Sequence, residues 1–154
     1  MGLDMYLTGK LYIGGQYKHN KIKGTIEIND EANETIISIP ITKVSEIELA
    51  IGYWRKANMI HNWFVENIQN GNDDCNPYYV NFDQLDNLKQ LCQDIIDKKK
   101  SPEFLPPTSG FFFGSTDIDE YYYQDLEDTV AIIDNALKEY KTYPNLSFYY
   151  QSSW

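Results

Sequence analysis

The chain has 154 residues, 42% hydrophobic and 23% charged, with a formal net charge of −10 at pH 7, which suits one globular domain and not two or a disordered tail. At this length about 70% of the unfolded surface can be buried, so a core forms without staples. No run approaches the ~18 apolar residues that a bilayer crossing needs, and two cysteines, Cys75 and Cys92, with no apolar export segment, point to a reducing cytoplasm without a disulfide framework.

From Met5 to about Ile41 apolar residues come in alternating bursts: Tyr6-Leu7, Leu11-Tyr12-Ile13, Thr25-Ile26-Glu27-Ile28 and Ile36-Ile37-Ser38-Ile39. A period of two predicts strands, and Gly14-Gly15, Gly24 and the 29–33 stretch supply turns. The expectation is an N-terminal meander of two or three antiparallel strands. Residues 44–53 add another strand or a short helix, and Gly52 marks the junction with the helical part of the chain.

Three helices come next. The first is predicted over about 57–69, with Ala57, Ile60, Trp63, Phe64 and Ile68 as its apolar stripe and Gly71 as its stop. The second covers about 82–98, with Asn81 as N-cap and Leu85, Leu88, Leu91, Cys92, Ile95 and Ile96 on the buried side. Asp83 and Asp86 at its start and Lys98, Lys99 and Lys100 at its end complement the helix dipole. The third begins after Asp117, read as the cap of a capping box with Glu120. Its stripe is Tyr122, Leu126, Val130, Ile133, Leu137 and Tyr140, while Asp117, Glu120, Glu127, Asp128 and Asp134 project onto the opposite arc as an acidic face. Pro144 ends that helix, and 146–150 reads as a last strand returning to the sheet. Between helices two and three, 102–115 forms a long connection around Phe111-Phe112-Phe113, of a length that often carries function. The fold class expected is one α+β domain over 1–154, an antiparallel meander plus a C-terminal strand packed with about three α-helices.

Charge is uneven along the chain. Residues 1–60 hold seven basic and seven acidic side chains, so the remainder carries the whole −10. Such a half repels phosphate backbones and anionic membranes and attracts a basic partner. No direct nucleic-acid or membrane binding is therefore expected.

The densest group of special residues is Tyr53-Trp54-Arg55-Lys56-Ala57-Asn58, with His61 close behind. Arg55, the sole guanidinium, and Lys56 would hold an anionic group while Tyr53 or Trp54 stacks on a planar part. Equally, Trp54, Trp63 and Phe64 would be core, with Arg55 paired to an acid. His61 suits either an acid–base role or a core edge, and an enzyme pairing His61 with Asp73 or Asp74 is the most distant reading.

No zinc spacing, nucleophile elbow, phosphate loop or dinucleotide fingerprint is present, so neither cofactor nor metal is expected. Magnesium on Asp117 and Asp119 competes with helix capping as the explanation of those acids. The acidic face has two readings of its own, a solvated exterior and a surface that competes with nucleic-acid phosphates for a basic partner. Tyr121, Tyr123 and the carboxyl-terminal Phe148, Tyr149, Tyr150 and Trp154 would anchor such an interface, and aromatic surface a dimer.

The opening Met1-Gly2-Leu3-Asp4-Met5-Tyr6-Leu7, the central Gly52-Tyr53-Trp54-Arg55-Lys56-Ala57-Asn58 with Ile60-His61 and Trp63-Phe64-Val65, the Asp73-Asp74-Cys75 turn, and Gly110-Phe111-Phe112-Phe113-Gly114-Ser115-Thr116-Asp117 with Asp119-Glu120-Tyr121-Tyr122 after it resemble a family of small phage and prophage proteins along essentially the whole chain. The resemblance implies a viral origin and an accessory role in the cytoplasm of a bacterial host, and leaves the mechanism open. The expected function is binding. The first form is an acidic inhibitor of a host defence or nucleic-acid-handling protein with a basic surface, reached through Glu120, Glu127, Asp128 and Asp134. The alternative sequesters a small anionic or nucleotide-like ligand among Tyr53, Trp54, Arg55, Lys56, Asn58, His61, Phe112, Ser115, Thr116 and Asp117.

Overall fold

The computed structural model describes residues 2–110 and 112–154; Met1 and Phe111, which belong to the opening and Phe-rich motifs, lie outside the described residues. Strands β1 (Asp4–Tyr12), β2 (Thr25–Asp30), β3 (Thr35–Pro40) and β4 (Glu46–Arg55) precede helix α1 (Asn58–Asn67). Then come β5 (Tyr78–Val80), α2 (Phe82–Ile96), α3 (Glu120–Thr142) and β6 (Leu146–Ser153). The fold is α+β with every strand pair antiparallel.

The expected last strand lies inside the sheet, whose order is β4-β1-β6-β5. One face of this sheet is core. Met5 and Leu7 of β1 and Leu146, Phe148 and Tyr150 of β6 point into it at alternate positions and pack on Ile60 and Phe64 of α1, Leu88 of α2 and Leu126 and Ile133 of α3. Leu7 faces Gly52 but Thr8 faces Ala50, so Ile51 is an extra residue, a β-bulge. The bulge resets the alternation, which lets Trp54 and Leu49, five apart, both pack toward the core.

Two strand expectations change. Gly52 is no junction: it sits inside β4, where a Cβ would come within 2.2 Å of the Ile132 side chain of α3, so glycine lets helix and strand approach. The strands before residue 41 also do not run as one meander, because β1 pairs with β4, formed by the 44–53 region, while β2 and β3 pair only with each other as a separate two-stranded sheet. Alternating isoleucines signal a strand but not its neighbour.

Helix ends obey local chemistry. Asn81 caps α2 in a reciprocal capping box with Gln84, whose side chain accepts from the Asn81 N–H. The helix stops at Ile96, before the lysines expected in its last turn, and Lys99 and Lys100 pair instead with Asp97 and Asp94. The cap of α3 is Asp119, not Asp117: its carboxylate accepts from the N–H groups of Tyr121 and Tyr122. Asp117 is drawn off into a turn with Ser115, which donates its hydroxyl to the Asp117 carboxylate and accepts the Asp117 N–H.

Candidate functional site

Asn58 ties the 102–119 connection at three points. Asn58, at the start of α1 and buried, donates from Nδ2 to the carbonyls of Phe113 and Ser115 at 3.1 and 2.8 Å and accepts the Thr108 N–H at 2.9 Å. Gly114 lies over Lys56 with φ of +92°, a conformation that favours glycine, and a Cβ there would sit 3.3 Å from the Lys56 Cβ. Tyr122 holds the loop's other half by donating to the Leu105 carbonyl. Burial pushes its phenol well above the ordinary range.

The loop thereby closes one side of a pocket of about 280 Å³. Arg55 and Lys56 enter from the end of β4, Asn58 and Met59 from α1, Pro107, Gly114, Ser115 and Asp117 from the loop, and Asp119, Tyr121, Tyr122 and Asp125 from the start of α3. Neither Arg55 nor Lys56 lies within ion-pair distance of a carboxylate among the described residues. The carboxyl of Asp125 is pushed up to about 6, first by burial and then by Asp128 and Asp119. The pocket has mixed charge, two cations and three aspartates in its lining.

The structure therefore brings together Arg55, Lys56, Asn58, Ser115 and Asp117 from the expected ligand set. Others go elsewhere. Trp54 alternates to the inner face of β4, is 3% exposed, and donates its indole N–H to Thr129 at 2.9 Å, so it stacks on no ligand. Tyr53 points to the other face, beside Tyr6 with ring centroids 5.5 Å apart, and its hydroxyl bonds the Asp4 carboxylate. Thr116 and Phe112 are exposed outside the pocket lining, with Phe112 accepting the Leu3 N–H through its carbonyl.

His61 forms a second, closed site. Its Nδ1 is 2.8 Å from the Tyr150 hydroxyl and its Nε2 is 3.0 Å from Asp73, which also accepts the Trp154 indole N–H at 3.0 Å. The edge of Phe113 covers the ring, whose residue is 1% exposed, and Tyr150 is fully buried. A general acid or base must come within reach of a substrate proton. These atoms reach one another instead, tying the end of β6 to α1 and to the 73–76 turn. Cys92 is equally enclosed, its thiol pushed up to about 12 by burial.

The acidic face is interrupted. Glu120, Glu127 and Asp128 are exposed, whereas Asp134 turns to α2 and pairs with Lys89 at 2.7 Å. Asp125, missing from the expected arc, lies between face and pocket on the flank shared by Tyr121 and Asp128, at spacings of four and three. That flank is the sequence signal that points to it. Among the described residues no three His, Cys, Asp or Glu side chains are grouped to hold a metal ion. No helix there is long and apolar enough to cross a membrane. The chain matches no protein-family model, no curated protein and no solved structure.

Proposed function

We propose that this is a phage or prophage accessory protein that acts by binding, its acidic edge at the start of α3 engaging the basic surface of a host defence or nucleic-acid-handling protein. The observation that carries the reading is the run Asp119, Glu120, Asp125, Glu127 and Asp128, none of which has a cation within ion-pair distance among the described residues. Asp125 is held above its ordinary pKa by burial first and then by Asp128 and Asp119, and a lysine or arginine supplied from outside relieves the repulsion from those two. Tyr121, 79% exposed in the middle of this run, gives the aromatic anchor that a protein interface needs. Charge of this kind steers association and makes it fall with salt.

A second reading is favoured by Arg55. The only guanidinium lines the pocket with no ion-pair partner among the described residues, beside Lys56, Asn58 and Ser115, groups that would hold a small anionic or nucleotide-like ligand. Asp117, Asp119 and Asp125 on the same rim oppose an anion, which ranks this reading second.

Affinity capture with tagged protein from host lysate, and then identification of bound proteins and extracted small molecules, separates the two. Loss of a stoichiometric basic protein in Glu127→Lys with Asp128→Lys, and its retention in Arg55→Ala, supports the acidic edge. The opposite ranking, with a small molecule lost in Arg55→Ala, moves function to the pocket. No effect of either variant on a bound partner sinks both.

A further inference from the structure

Among the described residues the β2–β3 hairpin has a face that lies off the core, half-buried at Ile26 and Ile39 and exposed at Ile28 and Ile37. Ile26 pairs with Ile39 and Ile28 with Ile37, so these four side chains lie on one side of the ribbon, with Thr25, Glu27, Asn29, Ile36 and Ser38 on the other. None of the four belongs to the core or packs against it. Ile28 and Ile37 are each 48% exposed. A two-stranded ribbon is marginal by itself in water, and an aliphatic stripe on it is an interaction surface in search of an occupant.

Charge along the ribbon says which occupant. At the base, Lys18, Lys21 and Lys23 line one depression with Thr42, the neighbour of Lys43 in sequence, as a basic collar, and the ribbon is joined there by the Ile41 N–H to Gly24 carbonyl bond. At the tip stand Asp30, Glu31 and Glu34, with Asp30 accepting from the 32 and 33 amides to close the turn. Among the described residues no ion pair involves any of these lysines or acids. A basic partner would satisfy the tip and be repelled by the collar, and an acidic partner the reverse. The matching surface is a ribbon with the same charge order run in the opposite direction.

We propose that the hairpin is a dimerisation arm: two copies of this chain lay their isoleucine faces together antiparallel, the acidic tip of each arm on the lysine collar of the other. Two-fold symmetry supplies this reversal, because in an isologous contact tip meets collar twice. Each strand of six residues spans about 20 Å, so the two charge contacts fall at opposite ends of one apolar strip. Tyr17 and Ile22, exposed beside the collar lysines, extend the apolar surface past the strands. The arm and the α3 edge share no residue, and the proposal does not depend on the function assigned to that edge.

Sedimentation velocity over micromolar concentrations tests it. The wild type is expected to be a dimer that becomes monomeric in Ile28→Asp with Ile37→Asp, with unchanged helical dichroism in the far ultraviolet as the control for folding of the body. Glu31→Lys with Glu34→Lys, and separately Lys21→Glu with Lys23→Glu, place like charges at both ends and should each weaken self-association about tenfold or more. Mixed together, these two variants restore complementarity at both ends and should form a heterodimer as tight as the wild type. A monomeric wild type, a dimer indifferent to the isoleucine changes, or a mixture no tighter than its parts overturns the arm; a basic or acidic protein binding the arm in place of a second copy does so too.

Discussion

Body and arm are built from the same kind of residue and end in opposite environments. In the body, Ile60 and Ile133 are fully buried in a core shared by three helices and one sheet face; in the arm, Ile28 and Ile37 are 48% exposed and Ile36 72%. Strand formation therefore needs only alternation and turns, whereas stability needs a second layer. The body has that layer within the chain. The arm does not.

The largest test of that contrast is Phe64→Ala. Its ring stacks on Tyr150 at a centroid distance of 3.8 Å, meets Trp54 and Trp63 edge-on, and is fully buried. Removing it leaves a cavity bounded by rigid rings, so the cost should be about 3–5 kcal/mol, a drop in melting temperature of about 10 °C or more by calorimetry. A drop under about 3 °C would mean that the body is no better packed than the arm.

Asn58→Ala comes next. It removes both carbonyl contacts and the Thr108 partner at once, leaving buried backbone groups unpaired at about 1–3 kcal/mol. The local effect is more diagnostic than the global one: limited proteolysis should begin within 102–117 in the variant while α1–α3 stay protected. Cleavage no faster than in the wild type would show that the loop is held by Tyr122 and Phe113 alone.

Asp125→Asn is third, and its sign runs opposite. The carboxyl rises from 3.8 to about 6 on folding, so the folded state binds a proton that the unfolded chain has already lost. The stability tied to that proton is complete below about pH 4 and lost as pH rises through 6. Discounted for partial exposure, the penalty near neutrality is about 1 kcal/mol. The variant should therefore be more stable than the wild type at pH 7, with the difference vanishing toward pH 4, as read from urea midpoints. An equal gap at both pH values would locate the cause in packing.

Much of this contrast is legible in the residues and some is not. Helices α1, α2 and α3 carry stripes at helical spacing long enough to survive errors at their ends, and Asn81 is legible as a cap, though not its reciprocal partner Gln84. Asp117 and Asp119 both satisfy the rule for a cap, and only the competing Ser115 turn decides between them. Strand β5 escapes a reading by periodicity because three residues beyond an Asn- and Asp-rich turn have no room to alternate; it exists through pairing with β6, remote in sequence. In the site, Arg55, Lys56 and Asn58 sit together because a strand end and a helix start adjoin in sequence. Trp54 leaves that group because strand alternation, not proximity, sends it inward. The isolation of the arm is illegible, since Ile26 and Ile28 alternate as Met5 and Leu7 do.

The smallest expected effect bears most directly on the arm. Ile28→Thr with Ile37→Thr keeps branched side chains suited to strands and removes only apolar surface that the monomer already exposes, so in dilute solution the body should melt within about 0.5 kcal/mol of the wild type. Concentration is then the variable. If arms pair, the wild-type melting temperature rises with protein concentration, since association favours the folded form, while the variant's stays level. Amide exchange gives the same answer by position: the ladder amides of β2 and β3 should exchange quickly when dilute and slowly when concentrated, and those of β1 and β6 slowly in both. Protection of the arm that ignores concentration would mean the ribbon is stable alone, and the division between a body that carries its own second layer and an arm that borrows one would fail.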